Sequence, residues 1–347
     1  MLGEKSTGTE STTTGSLERL KEEAPSITVA ICAYTLNRWD DIVGAVTSAL
    51  EQSQAPTEIV LVIDYNEELL ARAREHWGSD GTSGPAIVIV ANAEQRGLSG
   101  ARNTAVATAS GEIVAFLDDD AAAEREWLEI LTAPYRDQSV VGSGGSATPV
   151  LRAPRPAWWP LEFDWVIGCS YIGLPTKMSD VRNVIGCNMS MRRKELVEVG
   201  GFSTEIGRVG TKALGCEETD LCIRLIAATN GRIVYVPEAS VNHAVPGTRL
   251  NARYFASRCY NEGLSKALVV SSVGSSSGLA SERAYTMHTL PMGAFRGLAA
   301  GLRGDVAGLG RAAAIVAGLA ITTFGFGVGR VRGSLQSRSA VRSGRGD

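Results

Sequence analysis

The strongest constraint on the fold is an alternation. Residues 27–34, 58–64, 86–91 and 113–117 are short apolar runs rich in β-branched residues. Runs without polar alternation suit strands buried on both faces, as in a parallel sheet. Between them, Trp39–Leu50, Glu67–Trp77 and residues 98–109 have the length and spacing of helices. The first places Trp39, Ile42, Val43, Val46 and Leu50 on one face. Strands alternating with helices of about a dozen residues predict an open, mostly parallel sheet covered by helices on both sides. Ligands of such sheets bind beyond the carboxyl ends of the strands. Two of these ends are acidic, one at Asp64 and the other at Asp118-Asp119-Asp120.

Three adjacent carboxylates raise one another's pKa unless positive charge sits among them. A divalent cation such as Mg²⁺ or Mn²⁺ suits hard oxygen ligands, and magnesium commonly shares its shell with substrate phosphates. The plainer alternative is an acidic loop whose aspartates favour a helix N-terminus. No GxGxxG follows the first apolar run, which argues against a nicotinamide-type site.

Charged residues make up 20% of the chain and its net charge is −3, so a nucleic-acid surface is not expected. The six cysteines form neither a CxxC pair nor a zinc-like pattern with the histidines. Their apolar surroundings predict buried free thiols in a reducing compartment. Residues 1–24, rich in Ser, Thr, Gly and Glu, are expected to be a disordered leader without an apolar signal-peptide core.

Past the aspartates the texture changes. Residues 141–160 are rich in Gly and Pro and end in Trp158-Trp159-Pro160. The paired tryptophans suit either core anchors or a platform for a sugar or lipid. Residues 182–191 suit a strand, 211–216 a loop, and Glu217 opens a helix through Leu221 and Leu225. A last strand over 232–236 is expected to stop at Pro237, with His243 beyond it, and residues 254–270 look helical. Residues 312–329 carry no charge, match a bilayer span in length and include four glycines, which weaken an isolated helix. A transmembrane helix, an interfacial helix and a packed hairpin all remain open, with membrane-surface contact through 284–331 favoured over a full span. The basic residues 332–347 are expected to form a disordered tail.

Taken together, these stretches resemble the family 2 glycosyltransferases of the bacterial cell-envelope type. The likeness runs from Ile27 to His243, more weakly to Ala267. It rests on residues 29–34 with Asn37-Arg38, on 59–64, on Gly97-Leu-Ser-Gly-Ala-Arg-Asn103, on Phe116-Leu-Asp-Asp-Asp120, on Gly186-Cys-Asn-Met-Ser with Gly200-Gly-Phe202, and on Glu217-Glu218-Thr-Asp-Leu. The resemblance implies a GT-A fold: an α/β, Rossmann-like, mostly parallel sheet flanked by helices, here with a helical C-terminal extension over 266–331. It implies a catalytic domain over 25–265, with a nucleotide-sugar half at 25–135 and an acceptor half at 136–265.

The resemblance also assigns roles. Ala33, Tyr34, Asn37, Arg38, Asp64, Gly97, Arg102, Asp118 and Asp119 are implied to hold the nucleotide sugar, with Asp64 accepting from the base as from uracil N3–H. The alternative for Asp64 is a helix cap. Asp118 and Asp120 point the same way on an extended backbone, with Asp119 turned away. Asp120 is the first choice for metal ligand, joined by Asp118 and His243, with Mn²⁺ or Mg²⁺ as cofactor. Arg249 and Arg253 could close over the diphosphate. Glu218 is implied as the catalytic base, kept ionised by the helix dipole, with Glu217 beside it and Asp220 as a fallback. The family commonly has Glu-Asp where this chain has Glu217-Glu218. The expected activity is metal-dependent, inverting transfer from a nucleotide-diphospho-sugar, a UDP-sugar favoured, to a hydroxyl of a glycan or polyprenyl- or other lipid-linked acceptor at the cytoplasmic face of a membrane. Two other readings stand beside it: a non-catalytic module binding sugar nucleotides or glycans, and a nucleotidyltransferase, for which Thr35-Leu-Asn-Arg38 is a poor phosphate loop.

Overall fold

The computed structural model describes residues 25–78, 84–204, 215–273 and 283–343. The leader expected over 1–24 and most of the loop expected over 211–216 lie outside these residues.

The parallel half is as the apolar runs require. Strands β1 (Ile27–Ala33), β2 (Glu58–Ile63), β3 (Ala86–Ala91) and β4 (Ile113–Asp118) lie side by side in the order β3-β2-β1-β4, all parallel. Helices α1 (Trp39–Leu50) and α2 (Glu67–Trp77) bury Ile42, Val46, Leu69 and Ala73 against one face, with Val29, Ile31 and Leu61. Helix α3 (Leu98–Thr108) buries Ala101 and Ala105 against the other, with Ala30, Val60 and Phe116. Both faces are therefore dry, which is why these strands show no polar alternation.

The sheet then continues through two strands that were expected, near 182–191 and 232–236, and three that were not. After β5 (Ala121–Ala123) and helix α4 (Trp127–Thr132) come β6 (Val140–Leu151), β7 (Ser179–Val181), β8 (Asn188–Arg192), helix α5 (Arg193–Glu198), helix α6 (Glu217–Thr229) and β9 (Arg232–Val245). They extend the sheet as β4-β8-β6-β9-β5, with β7 also on β9. The Gly-rich stretch is a strand because neighbours press on it: a Cβ on Gly145 would fall 1.7 Å from the Ala239 carbonyl oxygen, and one on Gly144 2.3 Å from Val184. Strand β8 is shorter than the 182–191 expected. Strand β9 does not stop at Pro237 but runs to Val245, because the register on β6 shifts between Gly145 and Ser146 and absorbs the proline in a bulge. Fully buried Asn188 clamps that bulge. Its amide donates to the carbonyls of Ser146 (2.7 Å) and Ala239 (2.8 Å) and accepts from Trp127 Nε1 (2.7 Å).

The C-terminal helices α7 (Ala252–Val273), α8 (Leu290–Leu302) and α9 (Val306–Ser343) add a third layer. Trp159, Phe163, Phe255, Leu290 and Ile315 form its core, so Trp159 is a core anchor. Its glycines mark close backbone approaches: a Cβ on Gly263 would meet the Thr322 carbonyl at 2.1 Å, and one on Gly325 the Tyr260 carbonyl at 2.3 Å. The extension is thus a packed hairpin with one apolar face outward, where Phe295, Leu302, Val306 and Phe324 are each more than 65% exposed. The segment Val306–Arg332 is long and apolar enough to cross a membrane by length and composition. The basic stretch from 332, expected to be unstructured, continues the helix to Ser343. All six cysteines are free.

Gly145→Ala should force β6 from β9 at the bulge. The expected loss is roughly 1–3 kcal/mol in urea unfolding, as for other overpacked sites. An unchanged midpoint would refute the close-approach argument.

Candidate active site

Beyond the ends of β1 and β4 lies a cavity of about 780 Å³. Asp118, the last residue of β4, pairs with Cys32 of β1. Two residues later β5 runs antiparallel onto β9, and the register sets Ala121 opposite His243. The Ala244 N–H donates to the Asp120 carbonyl at 2.7 Å. This pairing carries a histidine from far downstream to the aspartates. One ligand atom each from Asp118, Asp120 and His243 lies within 4.8 Å of the others. Two carboxylates and an imidazole are a donor set suited to Mn²⁺-like cations.

Asp119 lies outside that group, but it does not face solvent. Its Oδ1 is 2.7 Å from Arg38 Nη1, which is also 3.1 Å from Asp120 Oδ2. Burial, reinforced by Asp120, pushes the Asp119 carboxyl up to about 7. Asp120 moves the other way. Burial opposes its charge, but the His243 hydrogen bond and the charges of Arg38 and Arg249 outweigh burial and hold it below the ordinary carboxylate range. Arg249 Nη2 is 3.5 Å from Asp120 Oδ2, whereas Arg253 is exposed on the first turn of α7 and does not line the cavity. Of the two expected diphosphate arginines, Arg249 is at the site.

On the opposite wall Arg102, only 2% exposed, connects the aspartates to helix α6. Its guanidinium donates to Asp118 (3.2 Å), Glu217 (3.1 Å) and the Gly186 carbonyl (2.8 Å). Its charge also sits 5.4 Å from the centre of the Phe202 ring. Glu218 is half-buried on the same wall. The helix dipole was expected to keep it ionised. Instead burial, with Glu217 beside it, pushes its carboxyl up to about 8. Two acids in one partly desolvated turn outweigh half a unit of helix-dipole charge. Asp220 does not serve the cavity: it is buried and paired with Arg224 at 2.8 Å.

Ala33, Tyr34, Asn37, Asp64 and Gly97 lie outside the cavity wall, at the neighbouring strand ends. Asp64 is not the cap of α2, since Asn66 Oδ1 accepts from Leu69 N–H at 3.0 Å. Its carboxylate accepts instead from Gly97 N–H (3.0 Å) and Asn92 Nδ2 (2.7 Å), which fixes its orientation. Asn103 and Phe202 lock the two family-like stretches together: Asn103 Nδ2 donates to the Phe202 carbonyl (2.9 Å) and its Oδ1 accepts from Phe202 N–H (2.8 Å). Sequence reasoning missed Cys169, whose Sγ lies 3.6 Å from His243 Nδ1. Burial pushes that thiol up to about 12, so it meets the imidazole as a neutral group. A Gly-Cys pair carries no pattern that would have singled it out.

Arg102→Met would leave Glu217 buried beside Glu218 without its cation. Breaking a buried pair typically costs about 3–5 kcal/mol. Urea unfolding should show a loss of that order; a loss below about 1 kcal/mol would show that Arg102 does not hold this wall together.

Residues 28–200 match the model of Glycosyl transferase family 2. A glucosyl-dolichyl phosphate glucuronosyltransferase of Haloferax volcanii is 35% identical over 241 residues, covering 69% of this chain and 76% of that protein. The succinoglycan biosynthesis protein ExoM of Rhizobium meliloti is 25% identical over 247 residues, 70% of this chain and 75% of its own length. Among solved structures, the mannosyltransferase PcManGT of Pyrobaculum calidifontis, in complex with GDP-Man and Mn²⁺, aligns with a TM-score of 0.51 at 18% identity, over 86% of this chain and 87% of that one. That likeness extends the GT-A fold across the sheet and the helices beyond it. The chain belongs to glycosyltransferase family 2 and is a glycosyltransferase.

Proposed function

We propose that the protein is a metal-dependent, inverting glycosyltransferase that moves a sugar from a UDP-sugar to a hydroxyl of a lipid-linked glycan. The observation that carries this reading is the shared cavity: the Asp118–Asp120–His243 group and Glu218 line it from opposite walls, and Arg102 joins them.

Asp118, Asp120 and His243 would hold Mn²⁺ or Mg²⁺, which when bound supplies positive charge to the leaving diphosphate. The chain's own residues do the rest. Arg38 and Arg249 flank Asp120 and add fixed positive charge on the diphosphate side. Asp64, already oriented by Gly97 and Asn92, has acceptor capacity left for uracil N3–H. Tyr34 and Asn37, in the turn that follows β1, would border the nucleotide beside it. Glu218 takes the proton of the acceptor hydroxyl as its oxygen attacks the anomeric carbon. The bond from that carbon to the diphosphate oxygen breaks in the same step, and the nucleoside diphosphate leaves.

Glu218 carries a raised pKa, so its basic form is scarce at neutral pH and grows as pH rises through about 8. Turnover should therefore climb between pH 6 and 9, whereas an ordinary glutamate would give a flat profile there. Glu218→Gln should abolish transfer and leave calorimetric binding of UDP with Mn²⁺ nearly intact. Asp120→Ala should lose that binding. Retained turnover in the first variant, or retained metal-dependent affinity in the second, would sink the respective role.

The outward apolar face of α8 and α9, where Met292, Phe295, Leu298, Leu302, Val306 and Leu309 are exposed, supports an acceptor at a membrane surface. Six free cysteines, five of them buried, fit the cytoplasmic side. In flotation, the protein should rise with anionic vesicles, and Phe295→Ser with Leu302→Ser should remain at the bottom. Equal flotation of both would remove this face from the proposal.

A further inference from the structure

Cys169 lies behind the metal group, and nothing in the chemistry assigned above uses it. Its Sγ is 3.6 Å from His243 Nδ1, while His243 Nε2 is 3.2 Å from Asp120 Oδ1. The imidazole thus stands between a thiol and a carboxylate, one on each ring nitrogen, and both His243 and Cys169 are buried. The thiol is firmly held. The Cys169 N–H donates to the Asp164 carbonyl at 3.1 Å, and Ser170 exchanges two hydrogen bonds of 2.9 Å with Ala147 of β6. The Cys187 thiol donates to the Gly168 carbonyl at 3.6 Å. A Cβ on Gly168 would lie 3.3 Å from His243 Cε1, so the turn passes close beneath the ring.

The partners decide which ring nitrogen carries the proton. When the imidazole bonds to Asp120, the carboxylate oxygen calls for an N–H at Nε2. Nδ1 is then an acceptor, and the Cys169 S–H is the donor that faces it. When the imidazole ligates a cation beside Asp118 and Asp120, Nε2 must offer its lone pair instead. Nδ1 then carries the proton and needs an acceptor. The sulfur accepts it, and the thiol's own proton has the Ile167 carbonyl at 3.9 Å. Ring and thiol stay neutral in both arrangements: Nε2 releases a proton to water and Nδ1 takes one up.

Most metal-binding histidines give their second N–H to a carboxylate, a backbone carbonyl or water. A carbonyl only accepts. It would fix the proton on Nδ1 and turn the Nε2 lone pair against Asp120 whenever the ring did not ligate. A thiol both donates and accepts, so it satisfies Nδ1 in either arrangement. The cost is strength. Sulfur is a weak acceptor, and a ring it supports is a less basic ligand than one backed by a carboxylate.

We infer that Cys169 is a positioning residue that lets His243 exchange between a hydrogen bond to Asp120 and a bond to the cation. The inference rests on His243 as a metal ligand, as proposed above, and adds the outer partner that makes that ligand reversible.

The test uses the full chain in detergent micelles, with UDP present and Mn²⁺ or Mg²⁺ as the cation. The chain has three histidines, and the signals of His243 are those missing from His243→Ala. In ¹⁵N-histidine NMR spectra the wild-type ring should carry its proton on Nε2 in EDTA and on Nδ1 with saturating Mg²⁺ and UDP. Mn²⁺ affinity, read from the free-ion EPR signal, should fall roughly ten- to a hundred-fold in Cys169→Ala, the scale of losing a ligand's outer partner. Cys169→Ser should recover most of it, since a hydroxyl also donates and accepts. In a His243→Ala background, Cys169→Ala should cost less than about two-fold more, whereas a merely structural thiol would give the same loss in both backgrounds. Equal losses in the two backgrounds, or Cys169→Ser as weak as Cys169→Ala, overturn the inference. If Cys169→Ala misfolds by circular dichroism, the wild-type spectra decide, and a proton on Nε2 under both conditions overturns the exchange. Full Mn²⁺ affinity in His243→Ala would remove His243 as a ligand and this inference with it. Weakened affinity there, with full affinity in Cys169→Ala, would overturn the inference alone.

Discussion

A buried guanidinium is the interaction on which the site depends. Arg102 comes from α3, which packs on the parallel strands β1, β2 and β4, yet its partners are Asp118 at the end of β4 and Glu217 on α6. An arginine at 2% exposure is tolerable only with its charge answered. Here two carboxylates, a carbonyl and the face of Phe202 answer it. The consequence is mutual. Asp118 and Glu217 are held at fixed positions on facing walls, so the group that would bind the donor and the helix that would deprotonate the acceptor cannot drift independently. Asn103, one residue on, pins the backbone of Phe202 by two hydrogen bonds and keeps the ring under the guanidinium. Two neighbouring residues of α3 thus fix both the charge and the surface beneath it.

The other half of the site depends on strand register. His243 reaches the aspartates because β9 absorbs Pro237 in a bulge and carries on for another turn of pairing with β5 and β6. Had the strand stopped at the proline, the imidazole would hang on a loop. The bulge in turn needs a residue without a side chain at 145 and a buried amide at 188 to satisfy the carbonyls it exposes. Fold specificity and ligand geometry are therefore set by the same few residues, none of which is a candidate ligand.

This explains what was legible in the chain. Strands β1 to β4 announce themselves because burial on both faces removes polar residues, a property of each segment by itself. The aspartates are legible because clustered charge at a strand end is costly without a partner. Strand β6 is not, since its glycines answer to Ala239 and Val184, which no local pattern reveals. His243 is visible only as a candidate, because a three-residue strand decides where it lands. The ionisation of Glu218 is hidden for a related reason. The helix dipole is a local feature, but burial and the acid next door are set by the folded wall.

The C-terminal layer extends the same logic. Glycines weaken an isolated helix by about 1 kcal/mol each, so α9 is not a helix that propensity alone would sustain. Gly318 sits under Phe163, Gly325 against Tyr260 and Gly329 against Ala267, and each lets a backbone or ring approach where a larger residue would hold it off. The layer grips residues 161–167 through Arg296 to Glu162 (2.6 Å) and Tyr285 to the Glu162 carbonyl (2.5 Å). That segment ends in Gly168, at φ +83°, and Cys169, which lie beneath the His243 ring. A short turn therefore has the C-terminal helices on one side and an imidazole of the site on the other. The helices carry apolar side chains outward and cavity-lining ones inward on the same backbones. Close glycine packing is what holds these backbones together.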